Sequence, residues 1–377
     1  MKILSLFDGM ACGMIAFNLV GIEIDSYDAY EVDKYAIQTA THNYPKIKEH
    51  GDVFTADFAQ YKGVDFVIGG SPCTYWSIAQ NKNRETTASG MGWELFSQYV
   101  RAVKEAQPKY FIYENNYSMS KQIRESIDKA FGFEAVYINS ALVSAQNRKR
   151  LYWVGKRNAN GTYSKVDVKQ PKDRGILLKD ILESDAQRIP EYGNKDKARP
   201  ILATYPHKSV GTDCFTDKPS KQVFDFVAKP IRVGALPRPN GELATVQSMQ
   251  IYAVNGKSTT LMANGGGMGG KTGLYAVPTA EKIKSEIPIY EVKNGFITIK
   301  GKNYPIKLAD GYYIIRKLTV TECKRLQTVP EWYNFPVSNA QAYKMLGNGW
   351  TVEVIAHLIK SALTGVTVER QEQLVFI

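Results

Sequence analysis

The chain has 377 residues, 44% of them hydrophobic and 23% charged, which suits a globular protein large enough for two cores. No apolar run approaches the ~20 residues of a membrane span. Four widely spaced cysteines without a C-x-x-C pair speak against a disulfide framework or a zinc site and favour a reducing, cytosolic setting. The formal net charge of +11 is unevenly spread, with 13 basic against 17 acidic residues in 1–139, 20 against 10 in 140–240, and 15 against 10 in 241–377. An acidic first third and a basic middle point to a small-molecule module joined to a polyanion-binding surface.

The chain opens on an apolar stretch too short and too soon interrupted for a signal peptide, and Ile3–Phe7 is expected to be the first strand. Further strands are predicted at Tyr27–Tyr30, Asp65–Gly69, Lys109–Tyr113, Ala135–Ile138 and Leu151–Val154. Helical patterns lie near 12–20, 33–43, 93–107 and 118–131. This alternation predicts a mostly parallel sheet covered by helices on both faces. The non-helical stretch Asn139–Arg150 permits an antiparallel last pair.

The first strand runs into Phe7-Asp8-Gly9-Met10-Ala11-Cys12-Gly13, a glycine-bearing turn and a helix start. Glycine lets backbone approach a ligand closely, and a helix amino terminus offers free N–H groups. Glu31 ends the second strand, where a carboxylate suits a ribose diol. Asp52, in Gly51-Asp52-Val53, is placed to accept from the exocyclic amine of an adenine. A plain tight turn is the competing reading of the loop.

In Gly69-Gly70-Ser71-Pro72-Cys73 a sharp turn presents a thiol at the carboxyl end of a strand, where open α/β sheets bind ligands. Cys73 is a candidate nucleophile, and a Gly-Gly-Ser-Pro turn is poor material for a merely buried cysteine. The polar segment Tyr75–Gly92 is long enough to act as a lid. Glu114 follows another apolar strand and is expected at the same sheet edge. In Gln146-Asn147-Arg148-Lys149-Arg150, the two arginines share one face of an extended segment, placed to neutralise phosphate or donate to a base carbonyl.

From about 158 the texture changes to Lys, Pro, Gly and Asn, and helical periodicity mostly disappears. Short β pieces are predicted at Gln250–Val254, Gly295–Ile299 and Tyr312–Ile315, set off by Asn-Gly turns. Gly265–Thr272 fits a phosphate-loop pattern, but Gly273–Pro278 after it is extended and ends in proline, whereas the pattern needs a helix. A basic loop carrying Lys271 toward nucleic acid is the better reading. Helices are predicted again at Thr319–Gln327 and Thr351–Leu363, the latter amphipathic and suited to packing back on the first sheet.

Together these residues resemble the DNA (cytosine-5)-methyltransferase family. The matches run in the family's order through Phe7-Asp8-Gly9, Glu31, Gly51-Asp52-Val53, Gly70–Cys73, Glu114-Asn115, Gln146–Arg150, Arg316–Gln327 and Gly347-Asn348. The first loop, the Gly69–Cys73 turn and Leu346–Trp350 look like the vertebrate de novo and phage members. Ala11 and Cys12 stand where the family usually has glycines, Asn116 replaces its valine, and Val32 replaces a common aromatic residue.

The resemblance implies an α/β, Rossmann-like class I methyltransferase sheet plus a smaller, irregular, mostly β target-recognition domain. Residues 1–157 would bind S-adenosylmethionine, 158–315 would recognise the target, and 316–377 would return to the catalytic domain. Phe7, Asp8, Gly9, Ala11, Gly13, Glu31, Val32, Asp52, Val53, Pro72, Leu95, Asn348 and Gly349 would line the cofactor site. Cys73 would attack cytosine C6, Glu114 would hold N3 and the exocyclic amine, and Arg150 would hold the carbonyl O2, with Arg148 beside it. Thiolate chemistry asks for positive charge or a helix end nearby. Ser77, Lys82, Arg84 and Lys271 would meet DNA. The target base lies inside a duplex, so it would be flipped out at a cost of a few kcal/mol. The implied partner is duplex DNA, with no metal and no membrane, and the implied protein is a cytoplasmic monomer, bacterial or phage-encoded. A tRNA-methylating branch, faintly matched by Asp213-Cys214-Phe215-Thr216, and a catalytically silent DNA-binding regulator are the alternatives.

Overall fold

The computed structural model describes residues 1–78, 84–183, 228–262, 272–279 and 288–364. Its first sheet is built from β1 (Lys2–Leu6), β2 (Ser26–Tyr30), β3 (Lys48–Glu49), β4 (Phe66–Gly69), β5 (Tyr110–Asn116), β6 (Val136–Asn139), β7 (Lys149–Arg157) and β8 (Tyr163–Lys165). The strand order is β3-β2-β1-β4-β5-β7-β6, with β8 on β7. From β3 through β5 all neighbours are parallel, and β7 runs antiparallel to β5, β6 and β8. The order reverses between β1 and β4, so a crevice opens at the carboxyl ends of these two strands.

Alternating side chains feed two cores. Ile3, Tyr27, Phe66, Ile68 and Val154 face one side with α1 (Cys12–Val20) and α2 (Lys34–Asn43). Leu4, Leu6, Val67, Phe111 and Trp153 face the other with α3 (Gly90–Ala106) and α4 (Lys121–Phe131). Period-two alternation between two helix-covered faces is what apolar, parallel strands require.

The first sheet continues past residue 157. β8 closes a hairpin on β7, and Val166, Val168, Leu178 and Ile181 join the α1-side core. The boundary expected at 157/158 therefore falls inside this sheet, because the apolar residues beyond it still need a core to bury them.

A second sheet holds β9 (Ile231–Ala235), β10 (Gln250–Ala253), β11 (Leu274–Thr279), β12 (Ile289–Lys293), β13 (Phe296–Ile299), β14 (Lys302–Pro305) and β15 (Gly311–Arg316). Its order is β14-β13-β12-β15-β11-β10-β9, with β10 and β11 the parallel pair. One face has its own small core around Val233, Ile251 and Ile297, and Tyr252 and Tyr275 on the other face join the α1-side core. Lys257, fully buried, donates to the carbonyls of Ala141, Ser144 and Ile176 and ties this region to the first sheet.

Then come α5 (Val320–Leu326), α6 (Asn339–Asn348) and α7 (Val352–Thr364). Thr319 and Glu322 form a capping box that starts α5. α7 packs on α1 in the same core. No helix among the described residues is long and apolar enough to cross a membrane.

Candidate active site

The loop after β1 is held in an unusual backbone. Phe7, Gly9 and Ala11 all have φ near +60°. Phe7 and Asp8 donate their N–H groups to the Tyr30 carbonyl, pinning the loop to the end of β2. A Cβ on Gly9 would meet nothing within 4 Å, so the backbone there borders open space. Gly13 has the opposite reason, since its Cβ would lie 2.3 Å from Ile68 Cδ1 and 2.8 Å from the Tyr27 hydroxyl. Ala11 adopts the left-handed turn despite its Cβ, and at Cys12 burial pushes the thiol up to about 12, which makes it inert packing.

Asp8 does not reach outward. Its carboxylate accepts from Ser5 Oγ and Tyr27 Oη, each at 2.5 Å, beneath the loop. Burial pushes it up to about 6, and its Oδ2 has no partner among the described residues. Its role in the structure is to support the loop from below. Glu31 accepts from Gly9 N at 2.8 Å and from Val32 N and Asp33 N, so its carboxylate sits at the mouth of the turn. Asp52 is exposed and caps the short turn Val53–Thr55 through Phe54 N. Val32 and Phe54 expose 71% and 42% of their surface, so an apolar side chain stands beside each acid. Phe54 escaped the sequence reading, though its place two residues after Asp52 was a signal. Pro72 is exposed and Leu95 half-buried on α3. Asn348 ends α6 exposed, and a Cβ on Gly349 would crowd Cys12 Sγ at 3.2 Å.

Open space over Gly9, a carboxylate at the second strand end and exposed apolar groups beside both acids fit a nucleoside with a flat base.

At the neighbouring strand ends lie the two candidates for chemistry, Cys73 and Glu114. Cys73 opens a short 3-10 turn, Cys73–Tyr75, and is half-exposed. Its carbonyl accepts from Trp76 N, Ser77 N and Asn116 Nδ2. Glu114 is 9% exposed, with Arg150 Nε at 2.9 Å from Oε1 and Trp350 Nε1 donating to Oε2 at 3.0 Å. Gly70 is glycine because a Cβ would lie 2.9 Å from both the carbonyl and Oε2 of Glu114. Trp350 was missed as a partner of Glu114, although it adjoins the Gly347–Gly349 motif.

Two arginines are placed otherwise than expected. Arg148, 2% exposed, donates to the carbonyls of Leu261, Gly347 and Gly349. Burial, with Arg150 close by, lowers its pKa, and Glu114 and Cys73 oppose that shift. Its donors are spent on the backbone, so it braces the site and does not present itself to a base. Arg84 donates to the carbonyls of Trp76 and Ser118, so it anchors its own loop. Ser77 is half-buried beside Cys73. Lys82, Lys271, the phosphate-loop-like glycines 265–270 and Asp213–Thr216 lie outside the described residues. The extended segment after those glycines is β11, with no helix to receive phosphates. Among the described residues, no group of three or more His, Cys, Asp or Glu is placed to hold a metal ion.

A sequence model of the C-5 cytosine-specific DNA methylase family matches residues 1–364. The chain is 24% identical to the orphan methyltransferase M.SPRI of Bacillus phage SPR, over 96% of this chain and 97% of that protein. It is 27% identical to the orphan methyltransferase M.Rho11sI of Bacillus phage rho11s, over 74% of this chain but only 60% of that protein's length. Among solved structures, the DNMT2 of Spodoptera frugiperda shares the fold with a TM-score of 0.56 at 17% identity, covering 96% of this chain and 99% of that one. The match along almost the whole length, and the order of loop, thiol turn and clamped glutamate along one sheet edge, place the chain in the C-5 cytosine-specific DNA methylase family.

Proposed function

We propose that the protein methylates C5 of a flipped-out cytosine in a specific duplex DNA sequence through a covalent bond between Cys73 and C6. The observation that carries this reading is the clamped Glu114, held by Arg150 and Trp350 beside the Cys73 turn. A carboxylate fixed on two sides is pre-organised to meet a planar base edge.

Cytosine C5 is a poor nucleophile. Addition of the Cys73 thiolate to C6 gives C5 enamine character as N3 takes up a proton from solvent, and Glu114 accepts hydrogen bonds from that N3–H and from the exocyclic amine. Arg150 holds O2. Phe7, Gly9, Glu31, Val32, Asp52 and Val53 hold S-adenosylmethionine, with Ala11, Gly13, Pro72, Leu95, Asn348 and Gly349 shaping its site and Asp8 bracing the loop. When bound, this cofactor supplies an electrophilic methyl on a sulfonium centre. After transfer, the C5 proton leaves to solvent, N3 gives back its proton, and the Cys73–C6 bond breaks, returning the thiolate.

DNA carrying 5-fluorocytosine tests the mechanism, because fluorine at C5 cannot leave as a proton does. The wild-type protein should form a stable adduct with such a duplex and its cofactor, and Cys73→Ala should form none and transfer no labelled methyl. Substantial methylation by Cys73→Ala would sink the covalent reading. Transfer to tRNA in preference to duplex DNA would redirect the substrate assignment.

A further inference from the structure

The 3-10 turn that carries Cys73 is fastened from behind. Trp76, three residues on, is fully buried, and its indole Nε1 donates to Glu85 Oε2 at 3.0 Å. The same carboxylate accepts from Gly92 N at 3.2 Å through both oxygens. Gly92 lies in the first turn of α3, and Ser89, at its N-cap, makes no side-chain cap. Glu85 therefore supplies the negative charge that a helix start favours. The backbone closes the unit, since Glu85 N donates to the Tyr75 carbonyl at 2.8 Å.

The neighbouring glycines are explained by this carboxylate. A Cβ on Gly90 would stand 2.6 Å from Glu85 Oε1. One on Gly92 would stand 2.6 Å from Oε2 and 2.5 Å from the Trp76 indole nitrogen. Gly92 is buried in this joint, while Gly90, whose φ of +80° also favours glycine, lies at its exposed rim. The other side of the turn is held as well. Arg84 Nε donates to the Trp76 carbonyl at 3.1 Å and its Nη2 to the Ser118 carbonyl at 2.6 Å. Ser118 Oγ donates to Asn116, whose Nδ2 reaches the Cys73 carbonyl at 3.4 Å.

We propose that Glu85 is a positioning residue for Cys73, tying the Trp76 indole to the start of α3 so that the thiol-bearing turn is fixed before substrate arrives. It rests on the reading of Cys73 as the nucleophile. Glu85 touches neither base nor cofactor in this scheme. Its contribution is orientation, and a misplacement of about 1 Å at a reacting atom can cost ~10²-fold.

The test is the rate of adduct formation on 5-fluorocytosine duplex, measured beside equilibrium binding of duplex and of S-adenosylmethionine. Glu85→Ala should slow adduct formation by about 10- to 100-fold, with both binding constants within about twofold of wild type. In turnover, kcat should fall while KM for either substrate holds. Glu85→Gln, which keeps an acceptor for the indole, should recover part of the rate. Trp76→Phe keeps the buried ring and removes only its N–H, so it reports on the same bond if Glu85→Ala fails to fold. Wild-type adduct rates in Glu85→Ala, or in Trp76→Phe where the former does not fold, would overturn the proposal. Absence of any adduct with the wild-type protein would instead remove the nucleophile reading beneath it.

Discussion

Arg148 and Arg150 are two positions apart and alike in sequence, yet the structure gives them different work. Arg150 pairs with Glu114 at the site, while Arg148 closes three carbonyls in the interior. Arg150→Ala should therefore cut methyl transfer strongly, and it should lower the melting temperature as well, because it leaves the nearly buried Glu114 carboxylate without its cation. Arg148→Ala leaves the Leu261 and Gly347 carbonyls without its guanidinium, while Gly349 O keeps Gln327 Nε2, and should cost about 2–4 kcal/mol of stability, read as a lower melting temperature. An Arg148→Ala protein as stable as wild type would contradict its bracing role. Period-two alternation put both side chains on one face correctly in principle, but it carries no information on which faces a neighbouring chain segment. Glu49 was invisible in the sequence for a similar reason. It lies in the two-residue strand β3, and both its carboxylate oxygens are buried without a partner among the described residues. Burial, then the charges of Asp8 and Glu31, push it up to about 8 from its ordinary 4.5. The folded state thus holds a proton that the unfolded chain has already released, and stability falls as pH rises from about 4.5 through about 8. Glu49→Gln stays neutral throughout. Its melting temperature should match wild type near the low end of that window and exceed it increasingly toward the high end. A difference that does not vary with pH would count against this account.

At the scale of elements, the parallel sheet and its helices were legible because each strand is an apolar run and each helix has a 3.6-residue stripe. The predicted helices near 12–20 and 33–43 end within a residue of α1 and α2. The antiparallel final pair also followed from the lack of a helix between Asn139 and Arg150. α6 was not foreseen. Its sequence, Asn-Ala-Gln-Ala-Tyr-Lys-Met-Leu-Gly-Asn, mixes polar residues with a glycine, and tertiary packing of Ala342, Met345 and Leu346 overrides its weak propensity. The second sheet was only half legible. β10, β13 and β15 stood out between Asn-Gly turns, but β9, β12 and β14 are four or five residues each with exposed lysines or arginines in them. Such strands are defined by the neighbours they pair with, and the pairing is non-local. The segment Tyr75–Gly92 is polar and long enough to read as a lid, and among its described residues Trp76, Arg84 and Glu85 are held by part-buried hydrogen bonds that composition does not reveal.

Over the whole molecule, the basic excess divides into charges that hold the protein together and charges left for a polyanion. Lys257 and Arg148 are spent on buried carbonyls, and Arg316 is spent on Glu322. None of these is available to phosphate, so the net charge of +11 overstates the binding surface. Among the described residues, exposed basic side chains on the second sheet include Lys293, Lys300 and Lys302 along β12–β14 and Arg232 on β9, and others lie on the first sheet at Lys149, Lys156, Arg157 and Lys165. The first 139 residues are net acidic, which suits the small cationic cofactor proposed for that sheet edge. This separation predicts that duplex affinity and cofactor affinity respond differently to salt. If ~6–10 phosphates are neutralised, duplex binding should fall ~10³–10⁵-fold between about 50 and 200 mM salt, while S-adenosylmethionine binding should change little. Replacing Lys302 by alanine should weaken binding to all duplex sequences alike and lower the salt slope by about 1. Arg148→Ala should leave that slope unchanged, since its charge faces inward. A flat salt response of the wild-type protein, or an unaltered slope in Lys302→Ala, would show that the second sheet's basic edge is only a solvated face.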